Sequence, residues 1–426
     1  MLRKEVNLNL GRKLEMFVIL AILTAAAAIR VHFNLRYSAE PFGDSIHIAR
    51  FAESVARTGA YPTDHGIYWS PGVVYFLGWL IPVIGNEQHY LSYRLLQSVL
   101  AVVSLFGFYL LARQWFGRVS GMLALLLLAF YPPLVFYSSM IFAENLFFLL
   151  IPWLFLTLSK WRELGGLFYP AASGVLFGLI HLIRPILIPL PVIFVIWFLI
   201  TKPRELYKPF FMKQIPVCVV AGLLILAPWI AHNYALYGKI ITSSAVGGLN
   251  FYIAHNEHAN GKWVQIDVNS EVFKLAGTPE GDKRGYEEGL KYIRSHLGYE
   301  VDMLRTKFVL FWTKTGKFWG DKAEQLWKEK YKLPLIKMKY LSCLFIFFLL
   351  LEMRRWKKWF PLVGYVLAYQ SMILVLYYAD RYRSIVEPFL LIFAAVVLAR
   401  GYILVKKGLI RLARFIRYDQ TQGVKP

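Results

Sequence analysis

Lysines and arginines occupy every second gap between the apolar runs of this 426-residue chain, and that alternation fixes how it can thread a membrane. The N-terminal arm carries Arg3, Lys4, Arg12 and Lys13. After a long mixed gap at 35–89 come Arg113 and Arg118, and after the short turn 138–143 come Lys160 and Arg162. A tight break at Arg184-Pro185 precedes Lys202, Arg204, Lys208 and Lys213. A long stretch at 232–332 precedes Arg354, Arg355, Lys357 and Lys358, and the turn 378–385 precedes the basic tail 406–426. Basic loops stay in the cytoplasm. The gaps between them therefore face outward, both termini lie inside, and chemistry is expected in the outward set.

A span takes about 20 mostly apolar residues. Ten runs qualify, at 15–34, 90–112, 119–137, 141–159, 166–183, 185–201, 211–231, 333–351, 360–378 and 385–405. The expected fold is an all-α polytopic membrane protein, with the first run a retained anchor in the plasma (inner) membrane. Run 71–85 is short and is assigned to an interfacial helix on the outer surface; a span there would invert every later loop. The chain is 57% hydrophobic, above the roughly 45–50% of soluble domains. Its net charge of +22 sits at span ends with no nucleic-acid-binding motif, which points to anionic lipid headgroups and away from nucleic acid. Cys218 and Cys343 lie inside apolar runs and read as small hydrophobes rather than a disulfide.

In the first outer loop, 35–89, Ile48, Phe51, Ala52, Val55 and Ala56 repeat with helical spacing, while His47, Arg50, Glu53, Ser54 and Arg57 fall opposite. This is a helix lying on the membrane and ending at Thr58-Gly59. Asp44 stands at its start, either as an N-cap or as a carboxylate aimed into a cavity. Arg184 lies where two runs meet with almost no loop; an arginine at such depth either snorkels or faces an interior cavity. Arg381 and Arg383 break the positive-inside pattern, and either bind a ligand or pair with Asp380 and Glu387. Glu144 is placed to cap the fourth span. His232, Asn233, His255 and His258 read as solvated loop residues, and no further ligand accompanies the two later histidines to make a zinc site. The region 232–332 reads as an outer cap of helices, with Trp312, Trp319 and Trp327 suited to the headgroup level.

Several outward stretches, in this order, resemble one known family. They are Gly43-Asp44-Ser45-Ile46-His47 through Tyr61, Ser70-Pro71-Gly72, Ala143-Glu144 and His181-Leu182-Ile183-Arg184-Pro185. Ala227-Pro228-Trp229 through Tyr234, Gly247-Gly248-Leu249-Asn250 to Asn256, Asn260-Gly261-Lys262-Trp263 and Asp380-Arg381-Tyr382-Arg383 continue the series. The chain resembles the C-type-fold membrane glycosyltransferases, in the branch of the protein O-mannosyltransferases and the lipid A aminoarabinose transferase.

That resemblance implies transfer of a hexosyl or pentosyl group from a polyprenyl-phosphate donor to a hydroxyl of a lipid, glycan or protein on the extracytoplasmic face. Asp44 matches the catalytic carboxylate, and a base must take the acceptor proton. Arg184, Arg381 and Arg383 are the candidates for the departing phosphate, because arginine offers a planar fork of donors; Lys262 is a further one. His47, Asp64, Glu144, His232, Asn233, Asn256 and Asp380 complete the candidate set. Tyr382, between the two late arginines, is expected to be a bystander. Where the family commonly has an Asp-Glu pair, this chain has Asp44-Ser45, which argues against a tightly bound metal, although Asp64, Glu144 and Asp380 remain as distant carboxylates. No cofactor is expected. A lipid-linked glycan ligase shares this logic, and a flippase without bond chemistry is the non-enzymatic alternative.

Overall fold

A computed structural model describes residues 2–422, save 38–40, 42, 65, 187, 316–328 and 330–335; helix side chains are described over 13–87 and 90–409. Trp319 and Trp327 lie outside the described residues, as do the side chains of the tail from 410. Among the described residues there is no strand, only an isolated parallel bridge between Lys262 and Tyr378.

The bundle is built from α1 (Leu2–Arg36), α4 (Glu87–Phe116), α5 (Arg118–Ala129), α6 (Pro132–Tyr137), α7 (Glu144–Leu164), α8 (Phe168–Ile183), α9 (Pro189–Thr201), α10 (Arg204–Tyr237), α14 (Met338–Glu352), α15 (Trp356–Val375) and α17 (Glu387–Gln422). Two surface helices, α2 (Asp44–Thr58) and α3 (Pro71–Ile84), precede α4. A cap follows α10, formed by α11 (Gly247–Ala254), α12 (Pro279–Ser295) and α13 (Leu297–Thr313), and a single turn, α16 (Asp380–Arg383), follows α15.

Every expected run carries helix, yet among the described residues four helices are long and apolar enough to cross a membrane: Lys13–Arg36, Tyr90–Phe116, Arg204–Tyr237 and Glu387–Leu409. The expected span 119–137 is broken. Pro132 and Pro133 cannot continue a helix from behind, and Tyr131 is forced to extended backbone (ψ 114°). The freed carbonyl of Ala129 accepts from Nη1 of the buried Arg30 at 3.0 Å, which satisfies the backbone where water is absent. Arg184 is likewise extended, because Pro185 follows it, and this separates α8 from α9. α10 runs on to Tyr237, so His232 and Asn233 sit on a helix rather than in a loop. α3, at 14 residues, extends roughly 21 Å at 1.5 Å per residue, short of the ~30 Å hydrocarbon layer.

α8 and α10 meet through glycines. A Cβ on Gly174 would fall 2.1 Å from the Cys218 carbonyl oxygen, and one on Gly178 would fall 2.9 Å from that of Gly222. Small residues at this spacing let helix backbones touch in lipid, where side-chain burial gives little drive.

The helices alternate in direction, which sorts their ends. One end joins basic residues to buried acids: Glu15 with Arg113 and Arg118, and Glu352 with Arg355 and Arg400. The other end carries the cap and the surface helices. There α2 packs on α3 and buries Ile48, Phe51, Ala52 and Val55, as its spacing predicted, together with Ala49, while Ala56 is only partly buried. The loop between α2 and α3 is stitched to the cap by Ile67 N–H donating to Gly277 and Ala245 N–H donating to Ile67.

Candidate active site

Asp44 does not cap α2. Gly43 occupies the N-cap with φ 52°, a conformation glycine adopts freely, and this turn makes Asp44 the first residue of the helix with no side-chain capping bond. Its carboxylate, half-exposed, pairs instead with Arg381: Nη1 donates to Oδ2 at 2.5 Å.

Arg381 sits on α16, nearly fully buried, with its guanidinium carbon 3.9 Å above the Phe142 ring. Its Nε and Nη2 donate to Oε1 and Oε2 of Glu144, the latter at 3.2 Å. Glu144 is the first residue of α7 and is wholly buried. Its Oε1 also accepts from Arg184 Nη1 at 2.6 Å. Two carboxylates and two arginines from four distant segments thus form one compact, formally neutral cluster. Burial pulls the Arg381 guanidinium down, but Glu144 and then Asp44 outweigh it and hold it above its ordinary value.

Arg383 is committed elsewhere. Its Nε donates to Glu387 at 3.0 Å, and its Nη1 donates to Tyr378 Oη at 2.8 Å and to the Lys314 carbonyl. Tyr131 Oη donates to the same Glu387 at 3.1 Å. Asp380 joins this second network, accepting from Tyr378 and pairing with Lys314 Nζ at 3.2 Å.

The remaining candidates scatter. His47 is exposed and stacks on Trp69, ring centroids 5.8 Å apart. Asp64 is exposed in the loop after α2. Lys262 is exposed, though its backbone bridges to Tyr378 beside α16. His232 stacks on Trp229, and the buried Asn233 donates to the Ile241 carbonyl at 2.8 Å, so both brace the exit of α10. Asn256 donates to Tyr252 and Ile253 carbonyls and closes a turn by accepting from His258 N–H. His255 is not solvated: it is buried, with Nδ1 2.8 Å from Glu300 and Nε2 2.8 Å from the Val375 carbonyl. Among the described residues, no three His, Cys, Asp or Glu side chains gather as a metal site would require.

Tyrosines outside the candidate set border the cluster. Tyr382 is no bystander, since Arg184 lies over its ring at 5.2 Å. Its hydroxyl meets that of Tyr377 at 2.9 Å, and Tyr377 donates to Asn250 Oδ1 at 2.9 Å. Tyr68 lies near enough to Asp44 for burial first, and then that carboxylate, to push its phenol up to about 12. Their one signal in the sequence is a run of tyrosines beside outward arginines.

Residues 68–232 match the family profile described as dolichyl-phosphate-mannose-protein mannosyltransferase. Solved structures share the fold. ArnT from Cupriavidus metallidurans in its apo state is 14% identical with a TM-score of 0.55, over 93% of this chain and 63% of that one. The same protein bound to undecaprenyl phosphate gives 14%, 0.50, 95% and 64%. The Archaeoglobus fulgidus oligosaccharyltransferase in complex with Zn and sulfate gives 16%, 0.52, 92% and 51%. The chain thus spans between half and two thirds of the length of the structures it matches. No curated protein matches it. The protein has the C-type glycosyltransferase fold.

Proposed function

We propose that this protein transfers a sugar from a polyprenyl-phosphate donor to an acceptor hydroxyl on the extracytoplasmic face, with inversion at the anomeric carbon. One observation carries the reading: a carboxylate and a partly unspent arginine share a single buried cluster at the cap end of the bundle. Asp44 is the half-exposed carboxylate, and Arg184 is the arginine with one nitrogen bonded to Glu144 and its fork otherwise free of hydrogen-bond partners among the described residues.

In the step itself, the acceptor oxygen forms a bond to the anomeric carbon as its proton passes to the Asp44 carboxylate. The bond from that carbon to the phosphate oxygen breaks, and the electron pair stays on the phosphate, which gains one negative charge. Arg184 meets that charge with donors already in place. Arg381, expected to bind phosphate, has each of its three nitrogens donating to a carboxylate; its role here is to aim Asp44. Arg383 stands in the neighbouring network and holds α16 to α17. The basic loops at the opposite end of the bundle support the outward placement of the cluster.

The test is a panel of radiolabelled polyprenyl-phosphate sugars, with a lipid-linked oligosaccharide included, incubated with purified protein and membranes. Label should leave at least one single-sugar lipid with wild-type protein and stay on it with Asp44→Asn. Release from the oligosaccharide alone would favour whole-glycan transfer, and release from none would end the reading.

A further inference from the structure

A glycosyl phosphate confines its own sugar. The anomeric carbon is one oxygen away from phosphorus, so a donor whose phosphate rests on Arg184 must hold its sugar between Arg184 and the base. Beside Arg184 lies the ring of Tyr382, whose hydroxyl meets that of Tyr377; Tyr377 is near enough to feel the Asp44 carboxylate and donates to Asn250. We infer that Tyr382 and Asn250 recognise hydroxyl groups of the transferred sugar, with Tyr377 as the positioning residue that fixes their orientation. This inference rests on the transfer reading above.

The hydrogen-bond directions make the subsite specific. Tyr377 is 3% exposed and belongs to the small apolar core of the cap, with Leu249 and Ile253. Its one hydroxyl proton is donated to Asn250 Oδ1. Toward Tyr382 it can therefore only accept, so Tyr382 spends its proton on Tyr377 and turns a lone pair outward. Asn250 has its oxygen occupied and presents the two N–H donors of its amide, which have no partner among the described residues. Both side chains are partly exposed. The pair offers one acceptor and adjacent donors, a match for neighbouring sugar hydroxyls that each donate and accept. Burial holds the Tyr377 phenol well above its ordinary value, with Tyr382 and Asp44 adding to it, so the proton that sets this pattern stays in place.

The experiment is displacement of a fluorescent polyprenyl phosphate from the purified full-length protein. Competitors are undecaprenyl phosphate and its mannosyl and glucosyl derivatives. Wild type should bind one glycosylated lipid more tightly than undecaprenyl phosphate. Tyr382→Phe, which keeps the ring under Arg184, and Asn250→Ala should each weaken that lipid about threefold to tenfold, the effect of one lost hydrogen bond. Neither should change the affinity for undecaprenyl phosphate. Variants that keep the wild-type preference, or that weaken all competitors equally, overturn the sugar subsite while leaving the transfer reading intact. Wild-type protein that binds no phosphate lipid overturns both.

Discussion

Arg381 reaches across 337 residues of chain to set its Nη1 2.5 Å from Oδ2 of Asp44, while its other two nitrogens grip Glu144. The first helix of the outer loop and the turn before the last span are thereby joined at the one carboxylate that is half-open to solvent. The aim of Asp44 depends on a buried acid it never touches.

Replacing Asp44 by Asn keeps the side-chain shape and removes the proton acceptor. Positioned acid–base catalysis contributes typically about 10²–10⁴-fold, so kcat should fall on that order. Binding of undecaprenyl phosphate should survive, because Arg184 keeps its Glu144 partner. Near-normal transfer by the Asn variant would remove Asp44 from the mechanism and turn attention to Glu144.

The three arginines should separate under conservative change to lysine, which keeps the charge and loses the fork. Arg184→Lys should raise KM for the donor lipid most. Arg381→Lys should lower kcat more than it raises KM, since a lysine cannot hold Glu144 and aim Asp44 together. Steady-state kinetics over donor concentration reads this split, and identical profiles for the two variants would contradict the division of roles.

Arg383→Leu is expected to cost stability rather than chemistry. It leaves Glu387 buried without its cation, and breaking a buried pair costs roughly 3–5 kcal/mol. Thermal unfolding in detergent should show a large downward shift, with activity per folded molecule largely kept. A variant that is stable but inactive would place Arg383 in the reaction.

Orientation can be read with an impermeant thiol reagent on intact cells, in a chain with Cys218 and Cys343 replaced by alanine. Thr63→Cys and Asn269→Cys, both exposed on the cap side, should label; Lys208→Cys, exposed at the far end, should not. Ser159 is a poor reporter for that far side because it is buried against Gln114. The reverse labelling pattern would invert the topology.

Lys307 gives a pH test of the cap. Its side chain is fully buried, donates to the Leu374 carbonyl at 3.1 Å, and burial pushes its ammonium down to about 8, with Glu300 pulling the other way. Between that value and the 10.5 of an unperturbed lysine, the unfolded chain holds a proton that the folded chain has released. Stability must then rise with pH across this window. The unfolding midpoint of wild type, measured relative to Lys307→Met, should climb from pH 8 to pH 10. A difference that stays flat would mean that Lys307 does not titrate there.

What the sequence made legible followed from local rules. The basic gaps, the buried stripe Ile48–Phe51–Ala52–Val55 and the arginine at the junction of α8 and α9 all answer to spacing, charge or a following proline. What it hid was tertiary. Arg381 and Arg383 look alike on paper, but residues two apart on a helix point to opposite sides, and one turn sends them to different acids. Tyr382 passed for a bystander because its ring matters only once Arg184, nearly 200 residues earlier, is folded against it. The expected span 119–137 ran straight through Pro132 and Pro133, and that Arg30 would close the break they make could not be read from spacing.

The glycine seam between α8 and α10 has a mechanical consequence. With a carbonyl where a methyl group would have to be, Gly174 and Gly178 leave no sliding layer of side chains between these helices. Arg184 follows directly on α8, so the seam braces the helix that carries it. Even a methyl group at either glycine would have to part the two backbones, so the seat of that arginine is set by two hydrogen atoms.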